Sequence, residues 1–248
     1  YLSSILLVTY DSGERMAFAT FLLSLLMLFI FLDGYRKSIF LSIVLGLFLI
    51  YLAVYLHPFY NDFKIVESTQ YHQGQKIEKF FECEEDPKKI CSKIINIQPS
   101  FFEIIKNFST SAYGEIYKLS YMMFIDNPIT GIGINNFNYL CNNNELYKNV
   151  MVYYDCASHP HNIYIQWITE GGIIVLFFFI LYLFFLTEFI VKNIGEKKYK
   201  IISLVILITM FWPIMSTGSL IKNWYGITTF FIIGICMCLS KFKNNYQN

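Results

Sequence analysis

The stretch IIVLFFFILYLFFLTEFIV at positions 173–191 decides the fold, because its 19 residues include a single charge, Glu188. A bilayer core needs a helix of ~20 predominantly apolar residues, so this stretch is long enough to cross a membrane. Comparable apolar segments occupy 17–32, 39–56, 201–215 and 227–240. In lipid, the backbone polar groups of these segments must hydrogen-bond within the protein, which leaves helices or a closed β-barrel. The segments lack the alternation of apolar and polar residues that barrel strands show. The sequence therefore predicts an all-α integral membrane protein, a multi-pass bundle of transmembrane helices.

The composition of the whole chain supports the same class. Of its 248 residues, 55% are hydrophobic and 15% are charged, whereas soluble domains have about 45–50% and about 25%. A net charge of +1 gives no electrostatic basis for binding nucleic acid. The chain begins with Tyr1 inside an apolar run, and we expect it to be a fragment whose first helix is truncated.

Lysine and arginine residues predict the orientation of the bundle. They concentrate in three polar segments, 33–38, 192–200 and 241–248. Alternating helices place these segments on one side, which the positive-inside rule makes the cytoplasm. The chain then divides into four parts. Residues 1–56 form transmembrane helices with a short outer loop at 11–16, and residues 57–162 form an extracytoplasmic loop domain. Residues 163–240 form a short interfacial helix and three transmembrane helices, and residues 241–248 form a cytoplasmic tail.

The 57–162 stretch is too long and too rich in apolar residues to be a bare linker, so we expect a partly helical domain. Apolar residues at 116, 119, 123 and 124 have helical spacing and predict an amphipathic helix over 112–126. Pro128 ends it, because the residue before a proline is disfavoured in the helical region. Gly131 and Gly133 then permit a tight turn.

Four cysteines fall in this extracytoplasmic stretch, where disulfides can form. We predict a bridge between Cys141 and Cys156 and a second between Cys83 and Cys91. The two cysteines of the last apolar segment, at 236 and 238, are expected to be buried apolar residues.

Arg15 is one of only two arginines in the chain, and it stands at the outer start of a predicted span. One interpretation is a side chain that extends to the membrane surface and is offset by neighbouring carboxylates, Asp11 and Glu14. The other is a guanidinium at headgroup depth, which has the donor geometry to bind a phosphate or diphosphate.

The segment ASHPHNIYIQWITEGG at 157–172 places two of the four histidines directly before a predicted helix. Asn162 is a candidate N-cap, and Gly171-Gly172 would end or kink the helix. His161 would therefore lie near a helix N-terminus at the outer surface, where it can act as a general base on a hydroxyl. Two alternatives remain, half of a zinc site with Asp155 and Cys156 nearby and an interfacial turn without chemistry. The other two histidines, His57 and His72, have no such setting and are expected at the surface.

Three segments in this order resemble the O-antigen ligase and polymerase family of bacterial membrane glycosyltransferases. They are SGERMAF (12–18), YMMFIDNPITGIGINNF (121–137) and HPHNIYIQWITEGG (159–172). The first resembles the family's Ser/Gly-rich stretch ending in Arg, and the second its Asn-Pro-x-x-Gly-x-Gly stretch. The third, the most specific, resembles its His-x-His-Asn-x-Tyr-x-Gln-x-x-x-Glu-x-Gly stretch.

The resemblance implies a GT-C-like fold and an inverting transfer, without metal or cofactor, of a glycan from undecaprenyl diphosphate to an acceptor hydroxyl. The acceptor would be lipid A core, a growing polysaccharide or a protein. By motif position His161 and Arg15 would be catalytic, and Arg15 would hold the diphosphate. His159 and Asn162 would contribute to substrate binding. Where family members often carry a further Arg before the Asn-Pro segment, this chain offers only Lys118.

The implied location is the bacterial cytoplasmic (inner) membrane, with the active site facing the periplasm. Two other functions also fit a multi-pass topology. A transporter or flippase for lipid-linked saccharide would need polar groups along the spans, where the sequence has few. A non-catalytic membrane subunit would leave Arg15 and the His-Pro-His-Asn segment without a use.

Overall fold

The computed structural model describes residues 1–12, 15–56, 64–72, 75–82, 106, 108–152 and 154–239. Side chains are described for all of these except 15, 64–72, 75–82, 110 and 223. The predicted Cys83–Cys91 bridge and the tail at 241–248 lie outside the described residues.

The described part of the chain is predominantly α-helical. Its helices are α1 (Leu2–Asp11), α2 (Arg15–Phe31), α3 (Arg36–Leu56), α4 (Ala112–Asp126), α5 (Phe137–Asn143), α6 (Glu145–Lys148), α7 (Ile163–Asn193), α8 (Lys197–Met210) and α9 (Asn223–Cys238), with short 3-10 helices at Asp33–Tyr35 and Phe108–Thr110. Strands β1 (Lys64–His72) and β2 (Gln75–Glu82) form an antiparallel hairpin. The prediction of an all-α protein did not include this hairpin, which adds a two-stranded sheet to a helical architecture.

Two helical stretches are long and apolar enough to cross a bilayer, Asp33–Leu56 and Ile163–Asn193. Only 17% of the most apolar window of each is buried within the protein. A core helix of a soluble protein would be mostly buried, so these faces suit contact with lipid or with further helices. The remaining apolar helices are shorter: Leu2–Asp11, Met16–Phe31 and Trp224–Cys238. A multi-pass bundle agrees with this arrangement, and two of the predicted spans meet the length requirement by themselves.

The packing of α2 against α8 fixes which helix ends lie together. Tyr35, just beyond the end of α2, accepts a hydrogen bond from Lys198 in the first turn of α8 at 2.8 Å. Lys197 lies 4.0 Å from Asp33 at the same place. We call this end of the bundle, where Asp33 and Tyr35 meet Lys197 and Lys198, the lysine end. Because the two helices run in opposite directions, the start of α2 and the end of α8 lie together at the other end.

Helix α8 ends at Met210, before the end of the apolar segment predicted to continue to 215. Pro213 accounts for the difference, because it donates no N–H and disfavours helical geometry in the residue before it. Residues 211–222, which we call the α8–α9 loop, connect α8 to α9. The segment 159–162 and this loop form the histidine end of the bundle.

Helices α4 to α6 form a small core of their own around Leu119, Met123 and Phe137, which are fully buried. The predicted helix over 112–126 is confirmed as α4. A disulfide joins Cys141 of α5 to Cys156, with the two Cα atoms 5.8 Å apart. It holds the chain that leads into the His-Pro-His-Asn segment against this core.

Candidate functional site

Helix α7 is broken at Gly172, whose φ of 67° and ψ of −170° are not helical. The loop at 127–133, which follows α4, supplies hydrogen bonds across the break. The N–H groups of Ile132 and Gly133 donate to carbonyls of the first half-helix at 3.0 and 2.9 Å. On the other side, the N–H of Ile173 donates to a loop carbonyl at 2.9 Å. The predicted kink is confirmed, and the loop replaces the bonds that the broken helix loses.

Two glycines permit this close approach of backbones. Gly131 and Gly172 both have positive φ, 69° and 67°. A Cβ at Gly172 would lie 2.2 Å from the carbonyl oxygen of Ile129, and one at Gly131 would lie 2.5 Å from that of Glu170. The Asn-Pro-x-x-Gly-x-Gly motif and the Gly-Gly pair are therefore two halves of one contact.

Asn162 is the N-cap of α7, as the sequence predicted. Its Oδ1 accepts from the N–H groups of Tyr164 and Ile165 at 3.0 and 3.1 Å. Its Nδ2 donates to the carbonyls of Pro213 and Met215 at 2.8 and 3.1 Å. The buried amide is thus fully engaged, and it attaches the α8–α9 loop to the start of α7.

His159 is buried, and both of its ring nitrogens have partners. Nε2 lies 3.2 Å from the carbonyl oxygen of Thr217, and Nδ1 lies 2.9 Å from the hydroxyl of Ser158. Because a carbonyl can only accept, Nε2 carries the proton and Nδ1 accepts from the hydroxyl. Burial, with a smaller effect from His161, lowers the pKa of His159 to about 4. This ring is therefore neutral at pH 7 and fixed in one tautomer.

His161 has a backbone φ of 53°, which non-glycine residues adopt rarely. Its carbonyl accepts from the N–H of Thr217 at 2.8 Å, which holds this conformation. Its half-buried ring stacks obliquely on His159, with centroids 4.2 Å apart, and meets Tyr113 edge-on at 6.1 Å. Among the described residues, no hydrogen bond engages either ring nitrogen.

Burial lowers the pKa of His161, and the charge of Lys222 lowers it further. The ring is consequently neutral at pH 7 and has a free lone pair. Of the two histidines, His161 is the one with the state that a general base needs.

An aromatic surface extends from His161 along α4. Tyr113 and Tyr117 lie one turn apart with ring centroids at 6.4 Å, and Phe108 contacts Tyr117 at 5.9 Å. The Tyr113 hydroxyl is 3.0 Å from that of Ser216. Burial raises the pKa of Tyr117, so this phenol stays protonated.

A buried polar group lies behind the histidines and was missed by sequence reasoning. Gln166 Nε2 donates to Glu170 at 3.0 Å and to the hydroxyl of Ser219 at 2.8 Å. All three side chains are buried. Gln166 and Glu170 belong to the third segment of the family resemblance, but no role was predicted for them. Their i, i+4 spacing on an apolar helix was the available signal.

The α8–α9 loop was also missed as a part of the site. It bonds to His159, His161, Asn162 and Gln166 through carbonyl, N–H and hydroxyl groups. Lys222 ends this loop and is exposed at the start of α9.

The other residues predicted for the site are Arg15 and Lys118, with Cys156 as a possible metal ligand. Arg15 begins α2, at the histidine end by the antiparallel packing described above, and its side chain is outside the described part. Lys118 is exposed on α4. Cys156 is bonded to Cys141, so its sulfur is not a metal ligand. In the part of the chain that the structure describes, no group of three or more metal-ligating side chains occurs.

A family model described as O-antigen ligase matches residues 1–180, which is 180 of the 248 residues. The match includes Arg15, the 127–133 loop and the His-Pro-His-Asn segment, and it ends before the α8–α9 loop. No curated protein matches the chain.

Proposed function

Because the chain belongs to the O-antigen ligase family, which implies membrane-associated glycosyltransferase activity of ligase or polymerase type, we propose its reaction in more detail. It transfers a glycan from undecaprenyl diphosphate to an acceptor hydroxyl, with inversion and without a metal. The observation that carries the proposal is the neutral His161 ring. Its backbone and its neighbours hold it in position, and no hydrogen bond from the described residues engages its nitrogens.

His161 acts as the general base in this reaction. Its free nitrogen accepts the proton of the acceptor hydroxyl while the hydroxyl oxygen attacks the anomeric carbon. The bond from that carbon to the diphosphate oxygen breaks, and its electron pair leaves with the diphosphate. Attack from the face opposite the leaving group inverts the anomeric centre.

Arg15 is proposed to hold the diphosphate. A guanidinium can bind phosphate oxygens in a bidentate manner and stabilise the charge that develops on the leaving group. The packing of α2 against α8 supports this role, because it brings the start of α2 to the histidine end. Lys118, exposed on the same helix as Tyr113, is a further proposed contact for substrate.

His159 and Asn162 are proposed to position the reacting group. Asn162 fixes the start of α7, and the neutral His159 ring lies against His161. The family resemblance implies that both residues contribute to substrate binding, and because their polar groups are engaged within the protein, we propose that they do so by positioning His161. The aromatic surface of Tyr113 and Tyr117 offers flat apolar faces beside the base.

We place the histidine end at the outer face of the bacterial cytoplasmic membrane. The lysine end carries Arg36, Lys197 and Lys198, which the positive-inside rule assigns to the cytoplasm. Transport of a lipid-linked saccharide is less well supported. Among the described residues, hydroxyl groups in the spans, such as those of Thr187 and Thr209, bond to their own helices.

The test uses the full-length protein in lipid vesicles supplied with an undecaprenyl-diphosphate glycan. Lipid A core, a second lipid-linked repeat and a protein acceptor are offered in separate reactions. We expect His161→Ala to abolish transfer and His72→Ala, a histidine at the end of β1, to retain it. The acceptor consumed by the wild type identifies the subtype. Equal turnover of His161→Ala and wild type would remove His161 from catalysis.

A further inference from the structure

The α8–α9 loop and the His-Pro-His-Asn segment form one rigid unit. Four hydrogen bonds of 2.8–3.2 Å join them, and a fifth, of 2.8 Å, joins the loop to Gln166 in the first turns of α7. The last of these bonds reaches Ser219, whose carbonyl in turn accepts from the N–H of Lys222 at 3.1 Å. The position of Lys222 relative to His161 is therefore fixed by a short chain of hydrogen bonds.

The charge of Lys222 also bears on the site. Its side chain is exposed, and in the described part of the chain it forms no ion pair. Its field nevertheless reaches His159 and His161, since burial and then the charge of Lys222 lower the pKa of both groups. Lys118 has no such effect on the two histidines.

The site needs a cation from outside the histidine pair. Both imidazoles are neutral at pH 7, so neither offsets the charge of a diphosphate. Further donors are available in the same loop and at the start of the helix that follows it. The buried Thr217 hydroxyl has no partner among the described residues, and no side chain caps the first turn of α9. Helix N-terminal N–H groups favour anions.

The geometry points to Lys222 as the second cation of the site, binding the diphosphate of the lipid-linked donor together with Arg15. This inference rests on the proposed function, and it concerns a residue beyond the matched part of the chain. Lys222 would provide the second positive charge that family members often have as a further Arg and for which Lys118 was the candidate in the sequence. Lysine binds phosphate as a point charge rather than as a fork, so Lys222→Arg should keep the function.

Equilibrium binding of undecaprenyl diphosphate to the detergent-solubilised full-length protein tests this inference. We expect Lys222→Met to weaken binding by about tenfold or more, and Lys222→Arg to bind within a few-fold of wild type. The matched control is Lys148→Met, which replaces another exposed lysine, at the end of α6. Wild-type affinity in Lys222→Met would overturn the inference. Failure of the wild type to bind the lipid would instead count against the proposed donor.

A second readout separates charge from a structural effect. The groups around His161 are His159, Tyr113 on α4 and Lys222, and Lys222 is the cation that lowers its pKa. Loss of that charge in Lys222→Met should raise the pKa of His161, so the acidic limb of the pH–rate profile moves to higher pH. Lys222→Arg should leave it in place. An acidic limb that stays put in Lys222→Met would contradict the inference.

Discussion

His159 makes the stability of the protein depend on pH. Its pKa is lowered to about 4 in the folded chain, whereas an unfolded histidine titrates near 6.5. As pH falls from ~6.5 to ~4, the unfolded chain binds a proton that the folded chain does not. The free energy of unfolding should drop by up to about 3 kcal/mol over that window and be unaffected by this group above it.

Thermal unfolding of the detergent-solubilised protein between pH 4.5 and 7.5 measures this dependence. His159→Gln removes the titrating group while keeping a side chain that can donate to the Thr217 carbonyl. We expect a flatter dependence of Tm on pH in this variant. The same slope as wild type would show that another group carries the effect.

At the level of elements, the 127–133 loop packs so closely against the break in α7 that a side chain added at this contact should destabilise the protein. Gly172→Ala places a Cβ 2.2 Å from a carbonyl oxygen in a backbone conformation that L-residues disfavour. We expect a loss of at least about 2 kcal/mol in stability, seen as a lower Tm, and a loss of transfer activity. Gly234→Ala is the matched control, because no atom lies within 4 Å of its added Cβ. An equal Tm in the two variants would contradict the proposed tight contact.

The elements also show which features could be predicted from sequence. Helix α4, the Asn162 cap and the kink at Gly172 depend on neighbours within a few positions, so spacing and turn chemistry reveal them. By contrast, His159 and Asn162 also bond to carbonyls of the α8–α9 loop, more than 50 positions away. No local pattern specifies such a pairing, and this is why the loop and Lys222 were missed. The hairpin was missed for a related reason, since its register depends on pairing between two strands rather than on an apolar face.

At the level of the whole molecule, α8 runs from the lysine end of the bundle to the histidine end. At its start, Lys198 bonds to Tyr35, and beyond its end the following loop bonds to the histidine segment. The disulfide between Cys141 and Cys156 adds a covalent tie on the histidine side. Disulfides form in oxidising compartments, which favours the histidine end outside the cytoplasm. Cationic loops stay in the cytoplasm, which independently favours the lysine end inside.

That orientation predicts the outcome of reporter fusions in cells. Alkaline phosphatase joined after Asn144, between α5 and α6, should be active, because the enzyme folds only when it is exported. The same enzyme joined after Gly195, between α7 and α8, should be inactive, while a fluorescent protein joined there should fluoresce. The two positions are separated by α7, which is long enough to span the bilayer, so we expect them to give opposite results. Activity at both positions would mean that α7 does not cross the membrane, and the outer location proposed for His161 would then fail with it.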